Sequence, residues 1–320
     1  MSLPVVVFVD RATIPAHIEL PKLNFAHHWI EYDRTRAEQI VERLADADIV
    51  ICNKVILDRV VLEQLPQLKM IAVAATGFNN LDLEYCQQNN IAVANVRGYA
   101  TRSVPEHVIA MIFALRRNLL GYHQDIAAGV WQQTKQFCFF THPIGDVAGS
   151  RLGIIGSGAL GQATAALAQS IGMQVMFAER KGASTCRAGF QPFESVLRES
   201  DVISLHCPLS EATYHLIDQH ELSMMKSSAL LINTGRGGLV NEQALVMALK
   251  TQQIAGAGVD VFTTEPAEDS NPLIAHSHLP QLLLTPHVAW GSDSAISQLT
   301  QILINNINAY YAGETLNRLV

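Results

Sequence analysis

The sequence predicts an α/β protein made of two doubly wound parallel-sheet domains, and three observations predict it. Short runs rich in β-branched residues alternate with helical patterns along nearly the whole chain, the signature of parallel strands joined by crossover helices. The runs are apolar throughout rather than alternating, as strands covered on both faces require. A length of 320 residues is long for one hydrophobic core and comfortable for two.

The first four strands are read at Val5–Val9, Ile49–Cys52, Met70–Ala74 and Ile91–Ala94. A long helix follows near Pro105, which suits a first turn where its missing N–H costs nothing. Ser103 and Glu106 have the spacing of a capping box, and Val108, Ile109, Ile112, Phe113 and Leu115 form a broad apolar face. Trp131–Gly149 reads as a loop. Six more strands are expected at Leu152–Ile155, Gln174–Ala178, Val202–Leu205, Ala229–Asn233, Ala255–Val259 and Leu282–Leu284. Six strands in this arrangement match a dinucleotide-binding sheet. The tail Asp293–Tyr311 is helical, with Ile296, Leu299, Leu303 and Ile307 on one face, and is placed back against the first domain. The first domain is therefore expected to be discontinuous, residues 1–100 with 288–320, around a second domain of residues 101–287.

Composition narrows the function class. Hydrophobic residues at 49% and charged residues at 16% exclude a disordered chain. The net charge of −7 comes without a block of like charge, so no nucleic-acid partner is expected. Cys52, Cys86, Cys138, Cys186 and Cys207 are odd in number and lack CxxC spacing, which argues against a disulfide framework or a structural zinc site. Free thiols fit a reducing, cytoplasmic setting. The start MSLPVVVFVD lacks a basic n-region, so no signal peptide is expected. No apolar run reaches the ~18 residues of a membrane span.

The most informative local pattern is Gly156-x-Gly158-x-x-Gly161, which follows an apolar strand and opens an Ala-rich helix. Gly156 can take the tight turn, Gly158 allows a pyrophosphate close to the backbone, and Gly161 permits close helix–strand packing. The amides of Ala159 and Leu160 then sit at a helix N-terminus that favours phosphate. Glu179 stands eighteen residues past Gly161, at the end of the next strand, where its carboxylate can accept hydrogen bonds from ribose hydroxyls. That acid favours NAD(H) over NADP(H), although Arg180 and Lys181 beside it could bind the extra phosphate.

With these motifs in place, the chain resembles the D-isomer-specific 2-hydroxyacid dehydrogenases over nearly its full length. The resemblance is carried by ATGFNNLDL (Ala75–Leu83), SVPEHVIAMIFALRRNL (Ser103–Leu119), GSGALG, HCPL (His206–Leu209), INTGRGGLVNEQAL (Ile232–Leu245), AGAGVDVFTTEP (Ala255–Pro266) and LTPHVAW (Leu284–Trp290), in order. ATGFNN and TPHVAW look most like the glycerate dehydrogenase (hydroxypyruvate reductase) branch. The resemblance implies a Rossmann NAD-binding domain inserted into a flavodoxin-like substrate domain, with the active site in the cleft.

Reduction of a 2-oxo acid needs a cation for the carboxylate, a proton donor for the carbonyl oxygen and a hydride donor. Arg236, in NTGRGG after a strand, offers a planar guanidinium that stays charged at any working pH. Gly235, Gly237 and Gly238 let the backbone pass close to a ligand. His287, after the last strand, is the acid–base candidate. Glu265 would orient its imidazole. The resemblance assigns Arg236 to the substrate and Glu265 to His287, and puts Asp260 near the nicotinamide carboxamide. It also puts Thr234, Cys207 and Pro208 on the nicotinamide side and Thr101 near the cofactor. Ala75, Thr76 and Gly77 can present backbone amides to the substrate carboxylate. Phe78, Asn79 and Trp290 are candidates for shaping the pocket.

The expected activity is hydride transfer between NAD(H) and a small D-2-hydroxy acid, with hydroxypyruvate or glyoxylate as oxidised substrate. The Ser103–Leu119 helix and the Trp131 region resemble the family's dimer contact, so a homodimer is implied. Two alternatives share the fold. A formate dehydrogenase would carry Gln in place of Glu265. A dinucleotide-sensing corepressor-like protein would bind NAD(H) without turnover.

Overall fold

The computed structural model describes residues 2–320. The chain divides into two compact units, Met1–Ala100 with Gly291–Val320, and Thr101–Trp290.

The smaller unit is built on five parallel strands: β1 (Val5–Phe8), β2 (His28–Glu31), β3 (Ile49–Cys52), β4 (Met70–Val73) and β5 (Ala92–Asn95). Their order is β2-β1-β3-β4-β5, the flavodoxin-like arrangement. β3, β4 and β5 are buried along their whole length. β2 escapes the sequence reading because it is an edge strand, largely exposed, and HWIE carries no apolar run. The closing helix Asp293–Tyr311 packs on β4 and β5. It buries Ile296, Leu299, Leu303 and Ile307, and Ser292 caps it by accepting from the Ala295 amide. Buried Asn306 ties this helix to the end of β5 by donating to the Asn95 carbonyl at 3.0 Å.

The larger unit has seven parallel strands: β6 (Arg151–Ile155), β7 (Gln174–Ala178), β8 (Phe190–Gln191), β9 (Val202–Leu205), β10 (Leu230–Asn233), β11 (Gly256–Val259) and β12 (Leu282–Leu284). The order β8-β7-β6-β9-β10-β11-β12 is that of a Rossmann sheet extended by one strand. The strand beyond the predicted six is β8, whose two residues are too short to leave a pattern.

Helix Ser103–Arg116 lies across β10 and β11 and against helix Ala159–Ser170. The approach to β11 is close: a Cβ on Gly258 would meet the Met111 sulfur at 2.8 Å. The predicted capping box is not formed. The helix begins at Ser103 itself, after Arg102, and the Ser103 hydroxyl donates to the Ala289 carbonyl instead. The segment read as a loop from Trp131 opens with a short helix, Val130–Thr134.

Candidate active site

Because the seven strands of the larger unit are parallel, their carboxyl ends share one edge, with neighbours about 4.8 Å apart. The motif residues follow those ends in sheet order. His287 comes after β12, Asp260 and Glu265 after β11, Thr234 and Arg236 after β10, and Cys207 and Pro208 after β9. The Gly156–Gly161 turn comes after β6 and Glu179 after β7. Sheet order thus gathers residues that are up to 131 positions apart in sequence.

His287 and Glu265 are joined directly, with imidazole Nδ1 2.6 Å from Oε2. A carboxylate only accepts, so Nδ1 carries the proton and Nε2 is the nitrogen left for acid–base chemistry. The other Glu265 oxygen accepts from the Phe262 amide at 2.9 Å, which fixes the carboxylate plane. Both side chains are partly exposed, at 25% for His287 and 31% for Glu265, so the pair is reachable by a small solute.

The His287 backbone has φ +56°, a conformation that a residue with a Cβ seldom adopts. Asp260 enforces it. The Asp260 carbonyl accepts from the His287 amide at 2.7 Å. Its carboxylate, with the residue fully buried, accepts from the amides of Val288 and Ala289 and from the Thr285 hydroxyl. Bonds to a charged acceptor contribute about 1.5–3 kcal/mol each, enough to offset the strain of one such residue. His107, from the long helix, meets Thr285 at 3.1 Å.

Arg236 sits at the start of a 3₁₀ turn whose shape is set by buried Asn233, which donates to the Arg236 carbonyl and accepts from the Gly235 amide. Its guanidinium is partly exposed and Nη1 donates to the Gly235 carbonyl at 2.7 Å.

The glycine turn separates internal packing from ligand space. Gly156 has φ +106°, and a Cβ there would lie 2.5 Å from the Cys207 amide nitrogen. A Cβ on Gly161 would lie 2.0 Å from the Gly156 carbonyl oxygen. Both glycines are demanded by the protein itself. Gly158 is not: its φ is −70° and a Cβ would meet nothing within 4 Å. Glycine suits this N-cap position, and it also leaves the backbone open to a close approach from outside the chain. Gly158 also opens helix Ala159–Ser170 without a capping side chain, so the amides at that end keep donors for an anion. Further along the edge, the buried Thr234 hydroxyl has no hydrogen-bond partner among the described residues. The residues present therefore fit a dinucleotide, with phosphates at the glycine turn and a polar group of the ligand for Thr234.

Matching the D-isomer-specific 2-hydroxyacid dehydrogenase NAD-binding domain profile, residues 109–289 fall on this unit. The chain belongs to the D-isomer-specific 2-hydroxyacid dehydrogenase family. It is 51% identical to a Haemophilus influenzae protein named a 2-hydroxyacid dehydrogenase, over 95% of this chain and 97% of that one. It is 45% identical to the glycerate dehydrogenase of Methylorubrum extorquens, over 98% of each. Among solved structures, an acyclic imino acid reductase in complex with NADPH and D-Arg superposes with a TM-score of 0.84 at 29% identity, over 99% of this chain and 100% of that one.

Other residues of this dehydrogenase have quieter places. Burial pushes the Cys207 thiol up to about 11, so it stays protonated and offers only its backbone to the edge. Burial pushes the preceding His206 down to about 4, which keeps it neutral. Thr101 precedes the long helix, and Trp290 donates from Nε1 to the His287 carbonyl. In the smaller unit, Ala75, Thr76 and Gly77 follow β4; Thr76 donates to the Val96 carbonyl and its own carbonyl accepts from Asn95. Phe78 and Asn79 continue that turn.

The sequence reading missed Arg187, which binds Glu179 from eight residues away across an irregular loop, and His107, on the side of the long helix that meets Thr285. Arg187 lies in no motif, and His107, although inside SVPEHVIAMIFALRRNL, was not singled out within it. Among the described residues, no group of three or more His, Cys, Asp or Glu is placed to hold a metal ion, and no helix is long and apolar enough to cross a membrane.

Proposed function

We propose that this dehydrogenase reduces hydroxypyruvate or glyoxylate with NADH, and that Arg236, Glu265 and His287 carry the chemistry. The observation that supports it most is the His287–Glu265 pair, held in a strained backbone beside the Arg236 turn at the carboxyl edge of a dinucleotide-type sheet. The Arg236 fork binds the substrate carboxylate and polarises the adjacent carbonyl. Ala75, Thr76 and Gly77 are the substrate-binding residues of the smaller unit in this reading, with backbone amides as donors for a carboxylate. When bound, NADH supplies the hydride to the carbonyl carbon. His287 Nε2 gives its proton to the carbonyl oxygen, and Glu265 stabilises the imidazolium that precedes this transfer. Run backwards, neutral His287 takes the hydroxyl proton of a D-2-hydroxy acid.

Gly156, Gly158, Ala159, Leu160 and Gly161 hold the phosphates in this reading. Glu179, with Arg180 beside it, takes the adenosine ribose, and the acid favours NADH over NADPH. Thr101, Cys207, Pro208, Thr234 and Asp260 line the nicotinamide side, with Asp260 also fixing the His287 loop. The five free thiols suit the cytoplasm, and the exposed aromatic segment around Trp131 suits a homodimer.

NADH oxidation with hydroxypyruvate, glyoxylate and pyruvate tests the reading. His287→Ala and Glu265→Gln should lower kcat by about 10²–10⁴, with a smaller change in KM. Arg236→Ala should damage both constants. Full activity of His287→Ala, or binding of NADH without turnover on any 2-oxo acid, would remove this function.

A further inference from the structure

Glu179 does not stand open. Its Oε1 accepts from the Arg180 amide at 2.8 Å and from Arg187 Nη2 at 2.9 Å. Its Oε2 accepts from Arg187 Nε at 2.7 Å and from the Arg187 amide at 3.1 Å. A carboxylate has about four acceptor sites, and four donors fill them. Ribose hydroxyls can reach these oxygens only by replacing a donor. The Glu179 side chain is 6% exposed, whereas that of Arg187 is 56% exposed and faces solvent. The guanidinium is held from its other side by the Phe190 ring, 3.9 Å from carbon to centroid. The loop carrying Arg187 runs between Gly182 and Gly189, both in the left-handed region with open space around them. Arg187 Nη1 makes no hydrogen bond among the described residues, and it points a spare donor away from Glu179. Of the two neighbouring cations, Lys181 is already paired with Glu221 at 2.9 Å, and Arg180 binds Glu179 through its backbone amide.

We propose that Arg187 is a specificity-determining residue: by pairing with both oxygens of Glu179 it cancels the repulsion that this acid would exert on a 2′-phosphate, and so admits NADPH beside NADH. The inference rests on the reading that the Gly156–Gly161 turn binds a dinucleotide. An unpaired Glu179 would reject a 2′-phosphate by charge and accept ribose hydroxyls by hydrogen bond. A Glu179 bound to a bidentate guanidinium is neutral as a pair and carries a phosphate-binding fork on its solvent side. Arg187 therefore narrows the preference for NADH that the acid alone would impose.

The test is binding, without substrate or turnover. Calorimetric titration with AMP and with adenosine 2′,5′-bisphosphate, together with fluorescence titration of NADH and NADPH, is run on the wild type, Arg187→Ala and Arg187→Lys. Arg187→Ala should weaken the 2′-phosphorylated ligands by about ten-fold or more, leave AMP and NADH unchanged or tighter, and so widen the ratio of the two dissociation constants. Arg187→Lys should recover part of the lost affinity, because it keeps the charge without the fork. An unchanged ratio, or equal weakening of both classes, would overturn the proposal. Failure of the wild type to bind any of the four ligands would instead overturn the dinucleotide reading beneath it. Retained AMP binding in the variants shows that they are folded.

Discussion

A Cβ on Gly237 would stand 1.9 Å from the carbonyl oxygen of Phe262. The turn after β10 thus lies backbone to backbone against the turn after β11. Arg236 immediately precedes Gly237, and the Phe262 amide is itself held by Glu265. The position of the guanidinium relative to the His287–Glu265 pair is therefore set by main-chain packing at a glycine.

Gly237→Ala should push these turns apart, since the methyl would also lie 2.5 Å from the Thr263 amide nitrogen. The expected result is a loss of about 10²-fold in kcat/KM, the effect of a misplacement of about 1 Å, with a stability cost of about 1–3 kcal/mol. Steady-state kinetics and urea midpoints measured on the same preparation check it. Unchanged kinetics would show that the Arg236 turn is free to adjust.

Gly158→Ala should behave in the opposite way. Its methyl meets no protein atom, so stability should move by less than about 0.5 kcal/mol. The same methyl occupies the space assigned to the pyrophosphate, so NADH affinity should fall by about ten-fold or more. Thermal melting without ligand and fluorescence titration with NADH separate the two effects. A stable variant with wild-type affinity would place the phosphates elsewhere.

What the sequence made legible follows from how each feature is encoded. Strands β3, β4, β9 and β10 are buried runs of apolar residues, and burial on both faces writes itself directly into composition. The three-residue and four-residue spacing of Ile296, Leu299, Leu303 and Ile307 placed the last helix from Asp293 to Tyr311. β2 and β8 left no trace, one because its surface is wet and the other because two residues have no period. At the site, glycines and strand ends were readable because a tight turn or close backbone packing restricts them. The anchoring of His287 by Asp260 and of Glu179 by Arg187 was not, because such bonds depend on where loops fold and have no spacing of their own. The capping-box reading failed because the Ser103 hydroxyl had a tertiary partner in Ala289.

Arg187 and the Arg180 amide hold the Glu179 carboxyl at about 2, below its ordinary 4.5. A depressed carboxylate contributes stability that is complete above about pH 4.5 and is lost as the pH falls towards 2. The Glu179–Arg187 pair should therefore persist at neutral pH and weaken only in that acid window. Carboxyl-carbon NMR of labelled Glu should find Glu179 titrating near 2 in the wild type and moving up towards 4.5 in Arg187→Ala. A wild-type titration near 4.5 would show that the pair does not persist in solution.

The segment after the long helix carries large apolar side chains that its own unit does not cover. Leu119 is 56% exposed, Phe137 94% and Phe140 78%. Trp131 is 43% exposed, with its Nε1 donating to the Gln136 carbonyl. Burying such side chains contributes roughly 1.5–3 kcal/mol each, so a partner surface that covers them gains from doing so. A second copy of the chain is the cover that the family resemblance implies. Phe137→Asp combined with Phe140→Asp should weaken self-association by about 10²-fold or more, because aromatic anchors dominate such interfaces. Sedimentation velocity should then find the 35.0 kDa chain as a monomer where the wild type runs as a pair. AMP binding should persist, since neither residue belongs to the glycine turn or the Glu179 loop. A wild type that sediments as a monomer, or a double variant that remains paired, would assign this exposed surface to something other than the homodimer.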